Sequence, residues 1–192
     1  MDQASSDQAE GVQALPARDL ARAERALFRS IFDANAGYVA ASLGRLGIAP
    51  GDRDDLVSEI FVRVHRELAT YDADRPLRPW LFAFAARVAS EHRRLARHRR
   101  EVLGEVADVP STAPAPDRVL EHDDARRLVN EALDTLDLDK RAVFVLHDLD
   151  ETPVPEIARA LGIAEGTAYS RLRAARAEFT AAVRRAQLGR GS

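Results

Sequence analysis

Pro155-Glu-Ile-Ala-Arg-Ala-Leu-Gly162-Ile-Ala-Glu-Gly-Thr-Ala-Tyr-Ser-Arg-Leu-Arg-Ala-Ala-Arg-Ala-Glu-Phe179 is the stretch on which the reading of this chain turns. Ile157, Ala158 and Leu161 make a short apolar helix, and Gly162 is the residue type found just past a helix end. A turn of three or four residues follows, and a second helix then runs well past Ala175. Two helices joined by a tight Gly-containing turn form a helix-turn-helix, whose second helix can lie in the DNA major groove. Along that second helix Ala168, Leu172, Ala175, Phe179 and Val183 recur at steps of four, three, four and four, one stripe of a 3.6-residue helix. The opposite side carries Gly166, Thr167, Ser170, Arg173, Ala174 and Ala177, with Arg171 and Arg176 flanking the stripe. A small, hydroxylated and basic face suits a groove about 12 Å wide. A plain surface helix with solvated arginines has the same periodicity; the Gly turn and the preceding short helix favour DNA.

Outside this stretch, composition narrows the classes. The 192 residues are 46% hydrophobic and 31% charged, as expected of a soluble protein with material for one core or two small ones. With no cysteine, disulfides, thiolate metal sites and a cysteine nucleophile are excluded. Met1 to Pro16 is polar and small, unlike a signal peptide, and no apolar run approaches the roughly 18 residues that span a bilayer. A cytoplasmic location is expected. The net charge of −3 hides segregation. Arg87 to Arg100 holds six arginines against one acid, Glu91, whereas Glu101 to Glu151 has a net charge of −9. Bases again outnumber acids after Thr152. That alternation predicts two phosphate-facing surfaces separated by a segment that avoids DNA or fills a basic channel.

Taken in order, residues 1–18 lack periodicity and are expected to be a disordered tail. From Asp19, Leu20, Ala23, Leu27, Ile31, Tyr38, Val39 and Leu43 fit one long helix or two short ones, with Gly37 a candidate break. Gly47 to Gly51 is a turn. Asp52 opens a helix with acids in its first turn, where the macrodipole favours them, and Leu56, Ile60, Val64 and Leu68 are its buried stripe. Tyr71 to Pro79 reads as a loop, and Trp80 starts a helix that ends in Arg93, Arg94, Arg97, Arg99 and Arg100. Residues 101–117, with Pro110, Pro114 and Pro116, read as a linker. Short helices over about 118–136 and 139–149 lead to the helix pair, whose first member Thr152 is expected to cap, with Pro153 and Pro155 in its first turn. No strand-like alternation occurs. The predicted fold is all-α, with two small helical domains (19–100 and 118–186) joined by a Pro-rich linker, and a tail at 187–192.

Two all-α modules with these motifs in this order resemble the extracytoplasmic-function sigma factors, the minimal sigma subunits of bacterial RNA polymerase. The resemblance covers about Leu27 to Phe179. Asp55-Leu-Val-Ser-Glu-Ile-Phe61 looks like the helix that grips the clamp helices of the polymerase's largest subunit, which implies contacts from Asp55, Leu56, Glu59, Ile60 and Arg63. Arg78-Pro-Trp-Leu-Phe82, running into the arginine cluster, looks like the part that melts and reads the minus-ten element. That implies roles for Tyr71, Asp72, Arg75, Arg78, Arg87, Arg93, Arg94 and Arg97. Glu156-Ile-Ala, Leu161-Gly-Ile and Gly166-Thr-Ala-Tyr-Ser-Arg-Leu172 look like the helix-turn-helix that reads the minus-thirty-five element, through Thr167, Tyr169, Ser170, Arg171, Arg173 and Arg176. The resemblance further implies seating on the polymerase flap by the helix near Ala142–Leu149, a linker in the RNA exit path, and control by an anti-sigma protein.

Elementary physics fits those roles. Melting needs a loop that can pocket an extruded base, and Tyr71–Pro79 is the candidate; the adjacent basic helix suits the backbone of a single strand. Five arginines between Arg93 and Arg100 repel one another unless phosphates are near, although a solvated helix end is the alternative. Trp80 is read as a core residue tying loop to helix. Family members usually carry Lys or Arg at Tyr169, often Arg at Ala174, commonly Asn at Arg87, and Ser and Glu at Pro153 and Pro155, so no base preference is carried over. The runner-up function is a helix-turn-helix regulator that binds duplex DNA without polymerase. A helical adaptor that binds only protein leaves the two arginine surfaces without a purpose. No enzyme is indicated: His65, His92, His98, His122 and His147 show no metal-binding spacing, and no phosphate loop or nucleophile elbow occurs. No catalytic residue, metal or cofactor is expected.

Overall fold

The computed structural model describes residues 17–103 and 120–190, and the regular elements among them are all helical. Residues 1–16 of the expected tail, 104–117 of the expected linker, and the last two residues lie outside the described residues. Helix α1 spans Ala17–Arg45 without interruption. Gly37 does not break it; the residue is exposed, and its cost is the extra backbone entropy of about 1 kcal/mol relative to Ala. Two compact units divide between Ala34 and Asn35, and all the candidate site residues belong to the second.

Helix α2 (Pro50–Glu67) starts two residues before the expected Asp52 because Pro50, with its φ preset, fits the first helical position. Leu56, Val57, Ile60, Phe61 and Val64 are buried along one side. After a 3-10 turn at Leu68–Thr70, α3 runs from Leu77 to Leu103. It begins ahead of Trp80 because Pro79 falls in its first turn, where no helical carbonyl awaits an N–H. Leu81, Phe82, Phe84, Ala85, Val88 and Ala89 are buried, and α3 packs on α2.

The second group is α4 (Leu120–Asp134), α5 (Leu138–Phe144), α6 (Val154–Leu161) and α7 (Glu165–Arg190). Asp137 caps α5, its side chain accepting from the Lys140 N–H at 2.9 Å. The helix expected to continue to Leu149 instead widens into a π turn over Val145–Leu149. Thr152 does not cap α6. Its N–H donates to the Leu146 carbonyl at 2.8 Å, and Pro153 takes the cap position with no side-chain bond. Helices α4, α5 and α6 all pack on α7, and α3 packs against α5 and α6. Leu133, Val143, Leu146, Ile157, Ala168 and Ala175 are among the most buried side chains of this group, and Phe144 stacks on Phe179 with ring centroids 4.6 Å apart.

Candidate nucleic-acid interface

The helix pair is closed by Gly162, whose φ of 67° lets the chain reverse. The Ile163 N–H reaches back to the Ala158 carbonyl at 2.9 Å, satisfying a carbonyl that the helix itself leaves open. This pins the start of α7 at Glu165. Ala168, Leu172 and Ala175 then face inward with at most 4% exposure, which turns Gly166, Tyr169, Ser170, Arg173 and Ala177 to solvent. Thr167 is half-buried, and its carbonyl accepts from Ser170 Oγ at 2.9 Å. Tyr169 is 56% exposed, a large ring held in solvent on a face otherwise made of small and basic side chains.

The flanking arginines have a different setting. Arg171 Nη2 donates to Asp139 at the start of α5 at 2.5 Å. Arg176 donates through Nε to Asp148 Oδ2 at 2.9 Å and through Nη2 to Oδ1, beside the His147 ring. The Arg176 hydrogen bonds hold the Asp148 carboxyl below its usual range, and Asp148 raises the guanidinium in return. Lys140 bridges Asp137 and Glu178 at 2.9 and 2.7 Å. Burial pushes the Asp137 carboxyl upward, but the hydrogen bonds from Lys140 outweigh it and the net shift is downward. Arg171 and Arg176 therefore brace α7 against α5 and its π turn, whereas Arg173 projects outward.

In the loop before α3, Asp72 Oδ1 accepts from the Asp74 N–H at 3.1 Å, and Tyr71 Oη donates to the Arg75 carbonyl. The Tyr71 ring lies 4.7 Å from Trp80, and Trp80 meets Phe84 edge-on at 4.9 Å, so Trp80 ties the loop to the helix. Asp72, Arg75 and Arg78 are exposed. Arg78 sits over the Tyr38 ring at 5.2 Å, and Arg87 over Phe84 at 4.6 Å. Farther along α3, Arg94 and Arg97 are exposed and Arg93 is half-buried.

On α2, Asp55 and Glu59 are exposed, whereas Leu56 and Ile60 point into the core. Arg63 bonds Glu59 and also Glu91 of α3, the latter at 3.2 and 2.7 Å. The Arg63 hydrogen bond lowers the Glu91 carboxyl. This pair staples α2 to α3 from outside. Val62, 52% exposed, adds an apolar element beside the acids that the sequence reading did not single out. Its position one turn from Glu59 and Ser58 was the available signal. The contacts of Tyr38 and Arg45 with Asp150 were also missed, because the partners lie in distant segments.

Among the described residues no helix is long and apolar enough to cross a membrane, and no three His, Cys, Asp or Glu side chains group to hold a metal ion. Two family descriptions match the chain, Sigma-70 region 2 over residues 31–100 and Sigma-70, region 4 over residues 126–179. The ECF RNA polymerase sigma factor SigL of Mycobacterium tuberculosis is 35% identical over 154 residues, 79% of this chain and 86% of SigL. The solved structure of CnrH in complex with the cytosolic domain of CnrY aligns with a TM-score of 0.58 at 27% identity, covering 85% of this chain and 94% of that one. RpoE from Bartonella quintana, solved with the anti-sigma factor NepR, aligns with a TM-score of 0.65 at 21% identity, over 82% and 96% of the two chains, which is a likeness of fold.

Proposed function

The chain belongs to the extracytoplasmic-function sigma factors of the sigma-70 family, and on that premise we propose how promoter recognition is divided over its surface. It is a sigma factor, binding core RNA polymerase and promoter DNA to start transcription. The outward face of α7 reads the minus-thirty-five element, with Thr167, Tyr169, Ser170 and Arg173 toward the bases and phosphates. Arg171 and Arg176 set the angle of the helix and reach the flanking backbone. The loop from Tyr71 to Arg75, with Arg78 and Arg87, takes the minus-ten element. Arg93, Arg94 and Arg97 hold the separated strand. Asp55, Glu59 and Arg63 meet the polymerase clamp helices, over a base made rigid by Leu56 and Ile60. The DNA-reading modules are residues 19–100 and 118–186. The chain works in the cytoplasm, carries no catalytic centre of its own, and is held in check by an anti-sigma protein.

The observation that supports this division best is the separation of α7 into a buried alanine–leucine stripe and a solvent face on which Arg173 and Tyr169 stand free of the core. Run-off transcription with bacterial core polymerase on the promoter upstream of this protein's own gene tests it. A specific transcript is expected, lost when Asp55 and Glu59 are both changed to Ala and weakened roughly tenfold by Arg173→Ala. An Arg173→Ala protein with unchanged transcription would remove the α7 assignment. No transcript, together with a duplex footprint by the protein alone, would favour the stand-alone regulator.

A further inference from the structure

Gly166 is the second residue of α7, and nothing in the fold calls for a glycine there. Its φ lies outside the left-handed region, unlike those of Gly47 and Gly162. A Cβ built on it would meet no atom within 4 Å outside the backbone of its own helix. Alanine would fit, and would hold the helix better, because glycine gives up more backbone freedom on folding. Tyr169, three residues on, is equally unexplained by packing. Its ring is 56% exposed, and among the described residues no aromatic ring or cation lies against it. Residues three apart are neighbours on a helix surface, and a helical side chain leans over the turn that precedes it. The Tyr169 ring therefore leans toward Gly166, where the missing side chain leaves a notch with the ring as its wall.

Both residues stand in the first turns of α7, the part of a recognition helix that meets base edges. Among the edges displayed in the major groove, thymine alone carries an apolar group, its C5 methyl. That methyl stands at the margin of the groove floor, beside the backbone of its own strand. Tyr169 holds the matching place on the helix. It lies at the margin of the outward face, whose middle is Gly166, Ser170, Arg173 and Ala177. Neighbouring polar groups do not compete for the notch. Ser170 Oγ donates to the Thr167 carbonyl at 2.9 Å, and Arg176 is held by Asp148. A tyrosine hydroxyl reaching for a phosphate would need no notch beside it. An apolar ring bordering one does suit a methyl group, whereas a purine N7 against the same ring would lose its hydrogen bond to water.

We propose that Gly166 and Tyr169 form a slot for the C5 methyl of one thymine in the minus-thirty-five element, and so help to set the promoter sequence this chain selects. The slot rests on the placement of α7 in the major groove at that element, and it adds the base and the atom that are read there. Glycine at 166 is kept for the approach of DNA, at some loss of helix stability in the free chain.

The test uses holoenzyme assembled from bacterial core polymerase and the full-length chain, titrated onto a promoter fragment that it retains on filters. Each thymine of the upstream element, on both strands, is replaced in turn by deoxyuridine, which lacks only the methyl. At one position the replacement should weaken binding about fourfold, as burial of a single methyl group implies. Tyr169→Ala should bind the two duplexes equally, whereas Tyr169→Phe, which keeps the ring, should retain the difference. Gly166→Ala should raise the urea midpoint of the free chain and yet lose the thymine effect, because its Cβ fills the slot. A glycine kept for the fold alone would show the reverse. The slot is overturned if no deoxyuridine weakens binding, or if the difference survives Tyr169→Ala or Gly166→Ala. Loss of the difference in Tyr169→Phe would also overturn it, by giving the contact to the hydroxyl. Arg173→Ala separates the slot from the placement of α7. Weaker binding by that variant without any thymine effect removes the slot alone, and unchanged binding by all four variants removes the placement as well.

Discussion

Gly47 and Gly162 both hold a positive φ, 84° and 67°, but only one of them is crowded. A Cβ at Gly162 would meet nothing within 4 Å, so Gly162→Ala incurs backbone strain alone, about 1–2 kcal/mol. At Gly47 the same strain is joined by the Arg141 and Arg93 guanidiniums, and Arg141 is too enclosed to swing away. Urea unfolding should therefore find Gly47→Ala less stable than Gly162→Ala by about 1 kcal/mol or more. Equal losses would mean that the guanidiniums move aside freely. Gly162 was legible in the sequence because a helix stop is a local event. The need for glycine at position 47 was not, since it is created by two arginines that only the folded chain brings there.

At the scale of the element, α7 shows how one periodic stripe does two jobs. Its alanines and Leu172 fix it to the core, and the arginines beside that stripe become braces rather than outward cations. The Asp148–Arg176 brace has a defined pH signature. Arg176 lowers the folded carboxyl below its unfolded value of about 4, so the contribution is complete above that value and disappears as pH falls through the folded one. Since the Arg176 side chain is 51% exposed, solvent screening limits the brace to at most about 1 kcal/mol. Arg176→Ala should cost that amount at pH 7 and progressively less as the pH is lowered below about 4, as read from urea midpoints. A loss that does not change with pH would assign Arg176 to packing instead. The π turn that positions Asp148 was invisible in the sequence, where Asp139 to Leu149 has the periodicity of an unbroken helix. A single widened turn alters carbonyl partners without altering which residues are apolar.

For the whole molecule, charge distribution matters more than net charge. A chain of net charge −3 would repel DNA if its charges were mixed, but its arginines are concentrated on α3 and α7. Each phosphate neutralised on duplex DNA contributes about 0.9 to the slope of log K against log salt, and on single strands about 0.7. Changing Arg94 and Arg97 together to Ala should flatten the slope for holoenzyme binding to a promoter fragment by about 1.4, measured by filter binding across a salt series. A slope unchanged within error would show that the end of α3 is a solvated surface. The run of arginines was plain in the sequence. Which of them stay exposed was not, because Arg93 is drawn partly inward beside Arg141, whereas Arg87 stays exposed even while lying over the Phe84 ring.

The sequence by itself determined the helices, their buried stripes, the helix-turn-helix and the division of charge along the chain. All of these follow from spacings within a few turns of backbone, where 3.6-residue periodicity and Gly or Pro punctuation act directly. Tertiary structure alone decided that Arg171 and Arg176 would be braced while Arg173 stays free. It also decided that Asp150 would close onto Tyr38 and Arg45. Those outcomes depend on which distant segment arrives within a hydrogen bond's length of each side chain, and no local periodicity encodes that distance.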